Sequence, residues 1–304
     1  MTSTGARRGP RVSIGLPVYN GERYIAETLD SLLAQTFEDF ELIISDNASH
    51  DRTEGICRAY AAKDSRIRYV RNSTNLGAAR NYRLAFELSS GEYFRWANCD
   101  DLFAPTSLSR CVEVLDREQS TILVYPKTKL IDERGQIISD YEDNLHLQAA
   151  RASERFVQLC LRLGLVNAIY GLIRAKTLKK TELIRNFIHA DTVLLAELTL
   201  QGKFWEIPEA LFYRRLHSSA YSSYKSVDQR QEFYDPESKG RIAFIQWRCL
   251  LAYWRSVFRT PIPIDEKMQL GVFLTRKAYW SHAELTGEMI AAMRQTIRRI
   301  FSNL

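Results

Sequence analysis

Asp46, Asp100 and Asp101 each follow an apolar run short enough to be a buried strand, and Asp191 opens a later apolar periodic segment. Carboxylates gathered at strand ends repel one another unless a positive partner compensates them. The cheapest partner is a hard divalent cation, Mg2+ or Mn2+, held by one or two carboxylates and completed by substrate phosphates. Such a cluster therefore points to work on a phosphorylated substrate. The blander reading is that each Asp caps the helix after it, and three together weigh against that. Two rival phosphate-binding devices are missing. Pro17-Val18-Tyr19-Asn20-Gly21 stands where a GxGxxG turn would follow the first apolar run, and no GxxxxGK[ST] occurs anywhere. Neither a nicotinamide dehydrogenase nor a P-loop NTPase is favoured.

The hydrophobic pattern supplies a scaffold for these residues. Apolar runs at 12–18, 40–45, 67–71 and 91–97 read as strands, and amphipathic stretches at 22–35, 52–62 and 75–88 read as helices between them. Strands alternating with helices imply a parallel sheet covered on both faces, with ligands beyond the carboxyl ends of the strands. All three early aspartates fall at that edge. The second half is less regular: helices at 106–117, 153–163 and 191–201, and short strands at 122–125, 128–132, 136–139, 169–174, 204–207 and 210–216. The polar stretch 228–239, with Pro236, marks the boundary to a helical tail.

With 304 residues, 45% of them hydrophobic, the chain can build a large core, which excludes disorder and a lone small module. Five scattered cysteines without a CxxC pair disfavour a disulfide framework and a zinc knuckle, and fit a reducing, cytoplasmic setting. Residues 1–10 read as a flexible leader with basic residues but no apolar segment after them, and no run is long enough to span a bilayer. The net charge of +6 is uneven: residues 238–304 hold eleven Lys or Arg against four acids, so they carry +7 and the rest −1. Within that tail, 241–258 interleaves arginines at 241, 248 and 255 with aromatic and aliphatic residues, the pattern of an amphipathic helix.

Taken together, Pro17-Val18-Tyr19-Asn20, the Ser45–Thr53 segment SDNASHDRT, Asn75-Leu76-Gly77, Arg80-Asn81 and Asn98-Cys99-Asp100-Asp101 resemble the family 2 glycosyltransferases. The likeness runs from about residue 12 to 223. It implies the GT-A fold: an α/β, Rossmann-like, mostly parallel sheet flanked by helices, here with a helical C-terminal extension. It divides the chain into a catalytic domain at 11–227, with a nucleotide-sugar half at 11–104 and an acceptor half at 105–227, followed by a basic helical region at 228–304. The resemblance further implies that Pro17, Tyr19, Asn20 and Asp46 lie against the nucleoside, with Asp46 accepting hydrogen bonds from the base. Arg80 would approach the base or diphosphate, Asp100 the ribose or sugar, and Asp101 would coordinate the divalent cation. Asn98 departs from the family pattern, replacing its usual first acid. His189-Ala190-Asp191 resembles an acidic pair whose second member is the catalytic base, with Ala190 in place of the first. The segment Tyr213–Ser219, YRRLHSS, resembles an Arg-rich stretch in which His217 would touch the metal or diphosphate.

The implied reaction moves a sugar from a nucleotide-diphosphate-sugar donor to a glycan or lipid-linked glycan acceptor, with inversion, in cell-surface polysaccharide or glycolipid synthesis. A sugar nucleotidyltransferase is the rival enzyme, but 16–22 lacks the Gly-rich basic loop such enzymes usually carry. A catalytically silent carbohydrate-binding protein is the rival of another kind, and nucleic acid is disfavoured by the acidic cleft. For the tail, the expectation is peripheral attachment to an anionic membrane surface, with Phe244, Ile245, Trp247, Leu251, Trp254 and Phe258 entering the interface. Its rival is burial of the same aromatics against the catalytic domain or against a second subunit, giving a homodimer.

Overall fold

The structure, a computed structural model, describes residues 9–218, 220, 223 and 226–302. Residues 1–8 of the expected leader and Ser219 of the Arg-rich motif lie outside the described residues. The first half follows the expected alternation: β1 (Val12–Val18), α1 (Ile25–Leu33), β2 (Phe40–Asp46), α2 (Thr53–Ala61), β3 (Ile67–Arg71), α3 (Ala78–Glu87) and β4 (Tyr93–Trp96). These strands stand parallel in the order β3-β2-β1-β4, so β2 and β4 flank β1 and their carboxyl ends share one edge. All seven residues of β1 are buried, which is why it reads as an unbroken apolar run.

The second half continues the sheet through β5 (Leu102–Phe103), α4 (Ser107–Arg117), β6 (Thr121–Ile131), β7 (Ile137–Tyr141), α5 (Ala152–Arg162), a 3-10 turn (Asn167–Tyr170), β8 (Leu172–Arg174), α6 (Ala175–Leu178), α7 (Ala190–Thr199) and β9 (Lys203–Arg215). The order beyond β4 is β8-β6-β9-β5, with β7 on β6. Here the structure corrects two boundaries. The strands expected at 122–125 and 128–132 are one strand, β6, and those expected at 204–207 and 210–216 are one strand, β9. Each contains a proline, Pro126 and Pro208, that interrupts the sequence pattern. The parallel β6–β9 ladder absorbs both in one irregularity, where the register steps from Pro126 opposite Ile207 to Lys127 opposite Ala210. The expected strand at 169–174 shortens to β8, its first residues being taken by the 3-10 turn.

The polar stretch at the expected boundary contains α8 (Val227–Tyr234) followed by a 3-10 turn (Pro236–Ser238). A reciprocal cap between Ser226 and Gln229 starts α8, a signal present in the sequence and overlooked there. The segment is packed on α3: a Cβ at Gly77 would lie 2.5 Å from the Tyr234 carbonyl oxygen and 2.6 Å from Pro236 Cδ. Gly77 also has φ +81°. Gly77→Ala therefore forces strain and overlap together and is expected to cost about 1–3 kcal/mol of stability, read as a lowered midpoint in denaturant. An unchanged midpoint would mean that the α3–α8 contact yields freely.

Two cores sandwich the sheet. One, under α1, α2 and α4, contains Leu16, Leu29, Leu42, Cys57 and Leu115. The other, under α3, α5 and α7, extends into α9 (Ile245–Arg259) and α10 (Ile264–Trp280) through Cys249, Tyr253, Val257, Leu270 and Leu274. Helix α7 is buried on nearly every side, so its sequence is apolar almost all round. A last helix, α11 (His282–Ser302), follows. The aromatic face of α9 offered to a bilayer by the sequence is largely a packing face. Ile245 and Trp254 pack on the second core, and the Trp247 indole donates to the Leu285 carbonyl; Leu251 and Phe258 stay exposed. No described helix is long and apolar enough to cross a membrane.

Candidate active site

The site assembles where β1, β2 and β4 end. Beyond β1, Tyr19 is exposed and meets His50 edge-on at 6.3 Å between ring centroids. Asn20 adopts φ +52°; its side-chain oxygen accepts from the His50 N–H and its own N–H donates to Ser49 Oγ. Pro17 lies within β1, opposite Ser45. A Cβ at Gly21 would lie 3.1 Å from Cys99 Sγ, so a residue without one lets the acidic loop after β4 close over the end of β1.

Asp46 is fully buried. Its Oδ1 accepts from the Ser49 N–H and its Oδ2 from the Tyr69 hydroxyl at 2.6 Å and Arg71 Nη1 at 2.8 Å. The carboxylate is thus enclosed by its own loop instead of facing outward to a base, and it fixes the turn carrying Asn47, Ser49 and His50. Arg80, on the first turns of α3, is exposed and pairs at 3.4 Å with Glu237 of the turn after α8.

The acidic loop separates its two aspartates. Asp101 is 1% exposed; its Oδ1 accepts from the Arg215 N–H and its Oδ2 from the Asn98 amide at 3.0 Å. Burial, and then the charge of Asp100, hold its pKa well above the usual carboxylate range. Asp101, expected to coordinate the metal, is the more buried of the two aspartates, and each of its oxygens already accepts one hydrogen bond. Asp100 is the accessible member, and its Oδ2 lies 2.9 Å from His217 Nε2. The other ring nitrogen of His217 is buried without a partner. The ring packs on Tyr24, with centroids 4.9 Å apart.

Asn98 shows why an amide suits its position. Its oxygen accepts from the Tyr82 hydroxyl, while its nitrogen donates both to Asp101 and to the Tyr170 hydroxyl at 2.7 Å. A carboxylate there could not donate, and would face Asp101 as a second negative charge. Arg215, whose side chain is wholly buried, knots the site together. It donates from Nε to the Asp100 carbonyl, from Nη2 to Glu27 of α1 at 2.7 Å, and from Nη1 to the Glu133 carbonyl. Tyr82, Tyr170 and Arg215 were missed as site residues in the sequence. Arg215 lay inside a quoted motif, whereas the two tyrosines carry no local signal.

Asp191 sits in the first turn of α7, where its Oδ1 accepts from the Thr192 N–H at 2.8 Å. Burial is the main cause that raises the Tyr170 pKa; the charge of Asp101 adds to it and that of Asp191 contributes least. Glu197, on the same helix, is buried, paired with Arg259 and accepting from the Glu182 N–H; it is not available to a substrate.

Among the described residues no group of three or more His, Cys, Asp or Glu gathers into a cage for a metal. The Asp100–His217 pair, its carboxylate partly exposed and its ring nearly buried with one unpartnered nitrogen, nevertheless fits a cation completed by substrate phosphates.

Residues 13–170, just over half of the chain, match the family model described as Glycosyl transferase family 2. The chain belongs to glycosyl transferase family 2. An uncharacterized glycosyltransferase of Rickettsia typhi is 31% identical over 170 residues, covering 56% of this family 2 chain and 49% of the relative. One of Rickettsia prowazekii is 28% identical over 241 residues, covering 74% and 70%. The chain thus spans about half the length of the first of these relatives. Among solved structures, S. aureus TarS in complex with UDP-GlcNAc superposes with a TM-score of 0.64 over 90% of this chain and 74% of that one, at 17% identity. A mannosyltransferase of Pyrobaculum calidifontis in complex with GDP-Man and Mn2+ gives 0.52 over 95% and 88%, at 14% identity. Both likenesses establish the fold expected of a family 2 enzyme.

Proposed function

We propose that this chain transfers a sugar, with inversion, from a nucleotide-diphosphate sugar to a hydroxyl of a glycan or lipid-linked glycan, in the synthesis of cell-surface polysaccharide or glycolipid. The observation that carries the reading is the Asp100–His217 pair beyond β4, at the same edge of the parallel sheet as the turn that Asp46 fixes. Family membership and the nucleotide sugars bound by TarS and the Pyrobaculum enzyme support it.

In this reading the nucleoside rests on Tyr19, Pro17 and Asn20, beside the turn that Asp46 fixes. Arg80 exchanges Glu237 for the diphosphate. Asp100 and His217 would hold a Mn2+ or Mg2+ ion, while Arg215, bonded both to Asp101 and to the Asp100 carbonyl, fixes the loop that carries the aspartates. When bound, that ion supplies Lewis-acid neutralisation of the leaving diphosphate. An acceptor hydroxyl has a pKa far above 7, so Asp191 takes its proton as it attacks from the face opposite the leaving group. Direct displacement inverts the anomeric centre and needs no second nucleophilic carboxylate.

The test is release of nucleoside diphosphate from a panel of uridine- and guanosine-diphosphate sugars, with Mn2+ and with chelator. Turnover of at least one donor, lost on chelation, is the expected result. Tight donor binding without turnover in the presence of glycan acceptors would instead make the chain a silent binding protein.

A further inference from the structure

Helix α10 is amphipathic in the unusual sense of having apolar residues on both sides. Leu270 and Leu274 enter the core, while Ile264, Met268, Val272 and Tyr279 recur four, four and seven residues apart on the opposite side. The outer stripe continues onto α9. The Phe258 ring stacks on Trp254, and the Trp254 ring lies 3.5 Å from where a Cβ would stand on Gly271 of α10. Together with Leu251 and Phe258 of α9, the four stripe residues are between 55% and 74% exposed.

Both acids of α10 are engaged at the start of α5: Asp265, half exposed, pairs with Arg151, and the buried Glu266 accepts from the Ser153 N–H. Its cations meet no acid among the described residues. Lys267 Nζ donates to the Phe258 carbonyl, and Arg276, which is exposed, makes no ion pair there. By helical spacing Lys267 borders one margin of the apolar stripe and Arg276 the other. The outer surface is therefore apolar along its centre, with the cations Lys267 and Arg276 beside it and the charge of Asp265 neutralised by Arg151.

We propose that this α9–α10 surface lies on an anionic lipid bilayer, with Met268 and Val272 at the acyl boundary and Lys267 and Arg276 among the headgroups. This goes beyond the transfer reaction and does not depend on it. It also moves the contact expected from the sequence off the aromatic face of α9, most of which is packed, and onto the solvent side of α10. A second copy of the chain is the poorer occupant: apposing two such faces about a two-fold axis sets their cations against each other, whereas anionic headgroups neutralise them.

The full chain is to be co-sedimented with vesicles of phosphatidylcholine alone and of phosphatidylcholine with phosphatidylglycerol, at low and high salt. Binding only to the anionic vesicles, weakened by salt, is expected. Met268→Glu/Val272→Glu removes apolar contact at exposed positions and should weaken binding by roughly tenfold or more. Lys267→Gln/Arg276→Gln should weaken it and flatten its salt dependence. Thermal melts of both variants matching the parent would establish that they are folded. The proposal is overturned if the folded parent ignores anionic vesicles, if both variants bind as the parent does, or if the parent is a dimer that Met268→Glu/Val272→Glu converts to monomer. Because sedimentation needs no turnover, its failure leaves the transfer reaction untouched, and failure of the transfer assay leaves this result standing.

Discussion

Asp191→Asn is expected to lower turnover by roughly 100-fold or more, the usual scale for loss of a general base, while leaving donor affinity unchanged. The substitution preserves what the residue does structurally. An amide oxygen can still accept from the Thr192 N–H, so the first turn of α7 keeps its bond and the helix its buried position. What it removes is the carboxylate charge that would take the acceptor proton. The measurement is nucleoside diphosphate release with acceptor present, beside donor-induced thermal stabilisation without it. Normal rates across pH would move the base elsewhere, and Glu197 would not inherit the role, because Arg259 and the Glu182 N–H already hold its carboxylate.

The second large effect is expected at Asp100. Asp100→Asn should abolish cation-dependent stabilisation by nucleoside diphosphate and lower turnover by about 100-fold, equivalent to about 3 kcal/mol of lost charge stabilisation. Asp101→Asn is the informative control. Its carboxylate is buried between the Arg215 N–H and the Asn98 amide, so the variant should lower thermal stability but keep Mn2+-dependent binding. The reverse outcome, binding retained in Asp100→Asn and lost in Asp101→Asn, would restore the assignment drawn from sequence resemblance.

That reassignment marks where the sequence stops being legible. The βαβαβαβ half could be read because the buried parallel strands β1 and β2 are continuous apolar runs. The edge strand expected at 67–71 is β3 without adjustment, and the aspartates fall at the shared edge. The second half was harder because Pro126 and Pro208 break the pattern of β6 and β9, and only the pairing of one strand with the other shows that the breaks coincide. At the site, residue types were readable and burial was not. Nothing local distinguishes Asp100 from its neighbour Asp101; the Arg215 backbone, brought in by β9, decides which of them is sealed. The enclosure of Asp46 likewise depends on Tyr69 and Arg71 from the next strand.

The Arg215 knot also has a bearing on the order in which the chain can mature. Its partners Asp101 and Glu27 lie 114 and 188 residues earlier, and His217 meets Asp100 across 117. During synthesis the β3-β2-β1-β4 half emerges long before β9, and it can pair its strands from local contacts alone. Until β9 docks beside β6, Asp101 and Asp100 stand without Arg215 and His217, two neighbouring carboxylates with only the Asn98 amide to orient one of them. A nascent chain therefore carries the turn that Asp46 fixes well before it carries the Asp100–His217 contact, and closure of a loop of 188 residues, Glu27 to Arg215, joins the two.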